Sequence, residues 1–370
     1  MSLLRARVDL DAIANNVHTV KTLLGEGTRL MCVVKANAYG HGALRVAQAM
    51  DAAGAEAFGV ATIAEALRLR EGGIDKPVLA WIWDPREDLS DALSAGVELA
   101  AASPAHVDAL IRAGIPARIC VEVETGMCRA GVDEKDWDAV FRRLAATDHL
   151  TVTGLMSHLA CADEVDHPHN NTQRDAFERA LRSAHAAGLE CSVNHLGNSA
   201  AALTRPDLRY QQVRCGLALY GYEPAPGHDH GLRPAMTWAA DVVSLKPVQP
   251  GDAVSYGLTW QADKPGWLAN IPVGYADGLP RRAQGALEIG IGGRRYPQVG
   301  RVCMDQIMVD LGDNPAGVSA GDEAVVFGPG GMSADELAAK LDTISYEVLT
   351  WPGSNRRTAR DYCGKERDDA

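Results

Sequence analysis

The chain has 370 residues, 46% of them hydrophobic and 23% charged, with a formal net charge of −12. That length exceeds what one hydrophobic core usually serves and predicts a large domain with a smaller companion. The negative balance excludes a nucleic-acid surface or an anionic membrane as the main partner, so a small anionic ligand would need arginines placed locally to meet it.

The opening stretch "MSLLRARVDLDAIANNV" has only three uncharged residues between Met1 and Arg5, too few for a signal-peptide core. No apolar run reaches membrane-spanning length. Eight cysteines stand singly, without a C-x-x-C pair. In a chain this long, that pattern predicts reduced thiols in a cytoplasm rather than a disulfide framework or a zinc site.

From residue 30 to about 220, short apolar or β-branched runs alternate with Ala/Leu/Arg-rich stretches of helical spacing. The runs are "LMCVVKA", "AFGVAT", "PVLAWIW", "VELAAA", "ARICVEVE", "LTVTGLMSHL", "ECSVNHLGN" and "QQVRCGLAL". Between most of them lie stretches such as "ALRVAQAMDAAG", "IAEALRLREGG", "REDLSDALSAG" and "DAFERALRSAHAAG". Gly54, Gly72, Gly96, Gly114 and Gly188 follow these stretches and suit left-handed helix caps. Eight strand-like runs alternating with helices predict a (β/α)8 TIM barrel. A doubly wound open sheet would ordinarily have fewer strands, and its G-x-G-x-x-G fingerprint is missing after the first run.

Beyond about residue 233 the helical texture stops. "TWAADVVSLKPVQPGDAVSYGLTW", "WLANIPVGYADG", "LEIGIGGRRYPQVGRVCMDQIMVDLG" and "GDEAVVFGP" read as strands divided by Pro-Gly, Gly-Asp and Gly-Gly turns. Only "SADELAAKLD" reads as a helix there, with Ser333 as N-cap and Glu336 at the capping-box position. The expected architecture is α/β plus all-β, with a barrel over residues 1–232 and a β-strand domain over 233–370.

A barrel gathers its chemistry at the C-terminal ends of its strands. Lys35 ends the first run in "VVKANAYGHG". Glu122, Glu124 and Arg129 lie at or beyond the fifth, His158 ends the sixth, Asn198 and Ser199 follow the seventh, and Arg214 lies in the eighth. Lys35 alone could simply snorkel to solvent. Polar residues at the same end of five strands instead favour a site. A desolvated lysine at a barrel mouth suits a Schiff base, and small residues after the last strands suit a phosphate. Together they suggest pyridoxal 5′-phosphate. A class I aldolase fits that logic nearly as well, but leaves the β domain unexplained.

"VVKANAYGHG" resembles the cofactor-lysine motif of alanine racemases, and "VETGMCRAG" is similar to that family's D-T-G-M-x-R-x-G segment. "SHLACADE", "NHLGNSAA", "VRCGLALYG", "VSYGLTW", "IPVGYADG" and "GRVCMDQ" match in family order, so the likeness runs from residue 33 to residue 306. The resemblance implies a pyridoxal-phosphate barrel followed by a β domain, acting as a head-to-tail homodimer with shared active sites.

Racemisation removes a proton from one face of Cα and returns it on the other, so two acid–base groups must flank the cofactor. The resemblance makes Lys35 both the Schiff-base residue and the base for the D-enantiomer, and Tyr256 of the other subunit the opposite base. A tyrosine, with a pKa of about 10, needs nearby positive charge for that role, and His158 with Arg214 behind it is the family's candidate. Arg214 would face the pyridine nitrogen. Since a guanidinium only donates, it would leave that nitrogen unprotonated and the cofactor a weaker electron sink. Tyr39, Asn198, Ser199 and the backbone amides of Gly216 and Leu217 would hold the cofactor, largely through its phosphate. Arg129 would bridge to the phenolic oxygen and the substrate carboxylate, and the Met304 amide of the partner would hold that carboxylate. Tyr275 would line the entrance and Asp305 would lie beside the pocket.

The sequence departs from the family at Glu122. Many members carry a carbamylated lysine two residues before the acid of D-T-G-M, whereas here that position is Glu122 and the acid is Glu124. Glu122 keeps the negative sign but is shorter, and no carbamylation is expected. The histidine pairs in "DHPH" and "GHDHG" read as solvated loops rather than metal ligands. In the tail, Tyr346, Asn355 and Tyr362 all remain open as the family's inner tyrosine position. The expected activity is interconversion of L- and D-alanine, supplying D-alanine for peptidoglycan. A broader-specificity or serine racemase of the same fold is the first alternative. A pyridoxal-phosphate barrel decarboxylase would replace Arg214 with a glutamate-centred motif, and a non-catalytic cofactor carrier would not need the β domain.

Overall fold

The structure is a computed structural model that describes residues 2–353 and 357–364. Asn355 lies outside the described residues. The chain forms two compact units, one of Ile13–Ala38 with Ala43–Arg233, the other the described part of Met1–Ala12, Tyr39–Gly42 and Pro234–Ala370. Among the described residues no helix is long and apolar enough to cross a membrane.

Strand β1 (Leu4–Asp9) precedes the barrel strands β2 (Arg29–Val33), β3 (Ala57–Thr62), β4 (Val78–Ile82), β5 (Glu98–Ala101), β6 (Ala117–Glu122), β7 (Leu150–Met156) and β8 (Gln212–Cys215). The seven strands β2–β8 form one parallel sheet in the order β7-β6-β5-β4-β3-β2-β8. Being covered on both faces, they read as nearly continuous apolar runs. Strands β2 to β7 each give one buried residue to an interior cluster of Met31, Ala57, Leu79, Ala100, Cys120 and Met156.

Only seven of the eight predicted runs become regular strands. "ECSVNHLGN" makes a single bridge, Met156 to His195, but it still closes the barrel. Val193 and His195 donate to the carbonyls of Thr153 and Leu155, while Gln212 and Arg214 donate to those of Asn194 and Gly197. The run stays irregular because the Asn194 side chain takes over a ladder position, its Oδ1 accepting the Leu155 amide at 3.0 Å. The predicted helices form, among them Ile63–Glu71 and Pro168–Ala186. Gly54, Gly96, Gly114 and Gly188 take positive φ as expected. Gly72 does not, at φ −83°, and Gly73 supplies the left-handed residue instead.

The second unit contains β9 (Met236–Asp241), β10 (Ser244–Val248), β11 (Ala253–Val254), β12 (Trp260–Gln261), β13 (Gly266–Ile271), β14 (Glu288–Ile291), β15 (Arg294–Val299), β16 (Ile307–Gly312), β17 (Glu323–Phe327) and β18 (Ala359–Cys363). Nine strands form a mostly antiparallel sheet, in the order β10-β13-β16-β15-β14-β17-β9-β1-β18. The long segment of this unit begins at Pro234, and β1 belongs to the unit as well, antiparallel to β9 and parallel to β18. Leu4, Ala6 and Val8 are buried on one face, while Arg5 and Arg7 on the other pair with Asp241 and Glu323. Ser333 caps the helix Ala334–Lys340 in a full capping box with Glu336. A second short helix, Ser345–Thr350, was not legible in the turn-rich tail.

Candidate active site

Lys35 follows β2 and opens an unusual turn. Ala36, Asn37, Ala38 and Tyr39 all have φ between 51° and 54°, a left-handed run without a single glycine. Such residues cost about 1–2 kcal/mol each, so surrounding groups must hold them. Glu65 does part of this. Its carboxylate accepts the Ala36 amide at 2.7 Å and, from its capping-box position on helix Ile63–Glu71, also the amides of Ala61 and Thr62. Asn37 Oδ1 accepts the amide of Ala43 at 2.9 Å.

The Lys35 ammonium sits 5.7 Å from the centroid of the Trp81 ring. Trp81 in turn packs on the interior cluster and fills the space above Gly59, where an added Cβ would meet the ring at 2.8 Å. Burial, with the charges of Arg129 and Arg214 adding to it, lowers the pKa of the Lys35 amine, while Glu65 opposes. A lowered amine is a better nucleophile near neutrality.

Arg214 lies in β8, 6% exposed. One guanidinium nitrogen donates to His195 Nδ1 at 3.0 Å and to the His195 carbonyl at 2.7 Å. The other reaches the carbonyls of Ser157 (2.5 Å) and Leu196 (3.3 Å) and His158 Nδ1 at 3.2 Å. Because arginine only donates, both imidazoles accept through Nδ1 and carry their proton on Nε2. Burial, then the charge of Arg214, pushes the His158 pKa down to about 3. His158 is therefore neutral and does not supply the positive charge expected of it, which falls to Arg214. The same causes hold His195 well below its usual range. Burial also lowers Arg214 itself to about 10, against the pull of Glu122, so it remains a cation at neutral pH. Glu122, buried at the end of β6, is pushed up by burial and pulled back by Arg214 and Arg129. Arg129 is exposed in the loop beyond β6.

Asn198 caps the helix Ser199–Thr204, its side chain accepting the Ala201 amide at 3.2 Å. The Ser199 hydroxyl accepts the Gly216 amide at 2.9 Å, and Leu217 opens the 3₁₀ turn that follows. Thus Lys35, Glu122, Arg129, His158, Asn198, Ser199, Arg214, Gly216 and Leu217 all lie in the barrel unit, at or beyond the carboxyl ends of its strands or, for Arg214, within β8.

The remaining predicted residues lie in the β unit. Tyr39 is buried with its ring centroid 5.9 Å from that of Tyr346, and its carbonyl accepts His41 Nδ1 at 2.9 Å. Gly40 comes so close to the Leu349 carbonyl that a Cβ would stand 2.4 Å from it. The β11–β12 hairpin carries Tyr256, 70% exposed, on a turn where Ser255, Gly257 and Leu258 all have positive φ. Ser255 Oγ donates to the Arg301 carbonyl, and the Tyr275 and Ala276 amides donate to the carbonyls of Cys303 and Met304. These bonds bring Tyr256, Tyr275 and Met304 onto neighbouring loops, and all three side chains are exposed. Asp305 is tied to Arg357, which also grips the buried Asp277 at 2.8 Å.

Sequence patterns missed Glu65, Trp81 and His195 as members of the barrel constellation. Trp81 looked like one more apolar strand residue, and Glu65 like an ordinary helix-start acid. His195 stood inside a quoted motif, and only its place beside Arg214 distinguishes it.

The donor set suits pyridoxal phosphate: one amine of lowered pKa for an aldehyde, a buried fork that can only donate, and a hydroxyl beside backbone amides for a phosphate. Residues 8–224 match the family model for the alanine racemase N-terminal domain, and residues 235–362 that for the C-terminal domain. An alanine racemase of Corynebacterium efficiens is 55% identical over 99% of this chain and all of that protein. The crystal structure of alanine racemase from Corynebacterium glutamicum superposes with a TM-score of 0.90 at 49% identity, covering 98% of this chain and 100% of that one. The structure of alanine racemase from Bacillus anthracis with bound L-Ala-P gives 0.90 at 33% identity, over 98% of this chain and 96% of that one. The chain belongs to the alanine racemase family of pyridoxal 5′-phosphate-dependent isomerases.

Proposed function

We propose that the protein interconverts L- and D-alanine with two bases, Lys35 on one face of the substrate and Tyr256 of a second copy on the other, and so supplies D-alanine for peptidoglycan. The observation that carries this reading is the exposure of Tyr256. A large aromatic side chain held outward on a strained hairpin, beside exposed Tyr275 and Met304, is the surface expected of a group that works in a partner's site.

Bound pyridoxal phosphate would act as the electron sink that acidifies the substrate Cα–H. Lys35 would hold it covalently and then serve as a base, its amine already shifted toward the neutral form. Ser199 and the Gly216 and Leu217 amides would hold the phosphate, with Asn198 fixing the helix that presents Ser199. Tyr39 would add its hydroxyl to the same phosphate. Arg214 would donate toward the pyridine nitrogen, and its bonds to two neutral histidines fix the plane of that fork. Arg129 would meet the substrate carboxylate with the Met304 amide of the second copy, Tyr275 would border the entrance, and Asp305 would hold the Met304 loop through Arg357. Glu122 would supply the compensating negative charge beside Arg129 and Arg214.

The test is incubation of the cofactor-loaded protein with L-alanine and chiral detection of product. D-alanine accumulating to an equal mixture is expected, and a yellow, folded protein that forms none overturns the reading.

A further inference from the structure

The loop that carries Arg129 and the segment that carries His158 are joined by a direct Thr125–Ser157 hydrogen bond and by a side chain the reaction does not use. Gln173 sits on helix Pro168–Ala186 with none of its surface exposed. A glutamine in a helix core is costly unless its amide is fully used. Here it is. Oε1 accepts the Ala160 amide at 2.8 Å, while Nε2 donates to the His158 carbonyl at 2.9 Å and to Thr125 Oγ1 at 3.1 Å. Thr125, buried in the Arg129 loop, also bonds Ser157 Oγ at 2.7 Å, and the Ser157 carbonyl is one of the acceptors that fix Arg214. His169, one turn before Gln173, reaches the Gly126 carbonyl with Nε2 at 2.9 Å. The helix therefore grips the Arg129 loop at two successive residues and the His158 segment at two backbone groups.

We propose that Gln173 is a positioning residue for substrate binding, its amide clamping the Arg129 loop to the His158 segment so that the arginine and the histidine keep one relative placement. The clamp lies wholly within the barrel unit. A carboxylate-binding arginine released by a loose loop must be ordered at each binding event, so substrate affinity falls before the chemical step does.

The claim about alanine rests on the racemase reading, and the experiment separates the two. Gln173→Met keeps length and bulk but removes both hydrogen-bonding functions. Thr125→Val removes the hydroxyl, and Thr125→Ser restores it. For Gln173→Met and Thr125→Val, KM for L-alanine is expected to rise about tenfold with kcat changed less than about threefold, and Thr125→Ser to return toward the parent value. Hydrogen exchange should quicken at the amides of residues 125–131 and 157–160, leaving other barrel helices as they were. Unchanged exchange in those two segments, exchange raised equally throughout the barrel, or Thr125→Ser behaving like Thr125→Val would overturn the clamp. Localised exchange in a protein that racemises no alanine would retain the clamp and refute the racemase reading.

Discussion

His158 and His195 show how one buried arginine decides the state of its neighbours. His195 is buried and His158 partly so, and both face the cation of Arg214, so the native protein keeps them neutral. With a folded pKa of about 3 and an ordinary unfolded value, His158 leaves the unfolded chain binding more protons between these limits. Stability from this source is complete above the unfolded value, about pH 6.5, and is lost progressively as the pH falls toward the folded one. His158→Gln can still accept from Arg214 but does not titrate. Its thermal midpoint should decline less steeply than the parent's between about pH 7 and about pH 4, followed by circular dichroism. Lys35→Ala should abolish both racemisation and the yellow colour of the loaded protein, whereas Tyr256→Phe should abolish racemisation and keep the colour. The candidate residues stood out in the sequence because polar side chains recur at one end of several predicted strands, and the roles given to them came from the family resemblance. Gln173 did not, since "NNTQRDAFERA" looks like a solvated helix face and only packing reveals which polar residue turns inward.

Among elements, the left-handed turn after β2 depends most on others. Its four non-glycine residues would relax to ordinary conformations without the acceptors that Glu65 and Asn37 provide. Glu65→Ala leaves three backbone amides without their carboxylate partner and should cost about 1–3 kcal/mol, seen as a lower unfolding midpoint, with faster loss of cofactor on dialysis. Glu65→Gln keeps one acceptor oxygen and should fall between the two. The barrel was legible because alternation of buried strands and amphipathic helices leaves a period in the sequence. Its seventh run was overread, because a side chain of Asn194 in place of a backbone group breaks the ladder without disturbing the apolar pattern. Strand β1 did carry a two-residue alternation in "LLRARVD", but it stood next to a helix and far from its partners, and no local feature assigns a strand to one sheet rather than another.

At the scale of the whole molecule, the proposed division of each site between two copies makes a strong statement about mixtures. A Lys35→Ala chain still carries an intact Tyr256, and a Tyr256→Phe chain an intact Lys35. Refolded together in equal amounts, the two inactive variants should form one working site in each mixed dimer, or about a quarter of all sites. Activity that stays at zero after verified exchange of subunits would sink the shared-site proposal. A different consequence follows from strand β1, which lies between β9 and β18 in the nine-stranded sheet. During synthesis it is made before the other described strands and waits for its last neighbour until Cys363 has been added. At about 5–20 residues per second that wait lasts some tens of seconds, with an edge left open for pairing with any passing chain. Arg5 and Arg7, which later meet Asp241 and Glu323, are meanwhile unneutralised charges on that edge, a guard against aggregation on the nascent chain before they become ion pairs in the finished sheet.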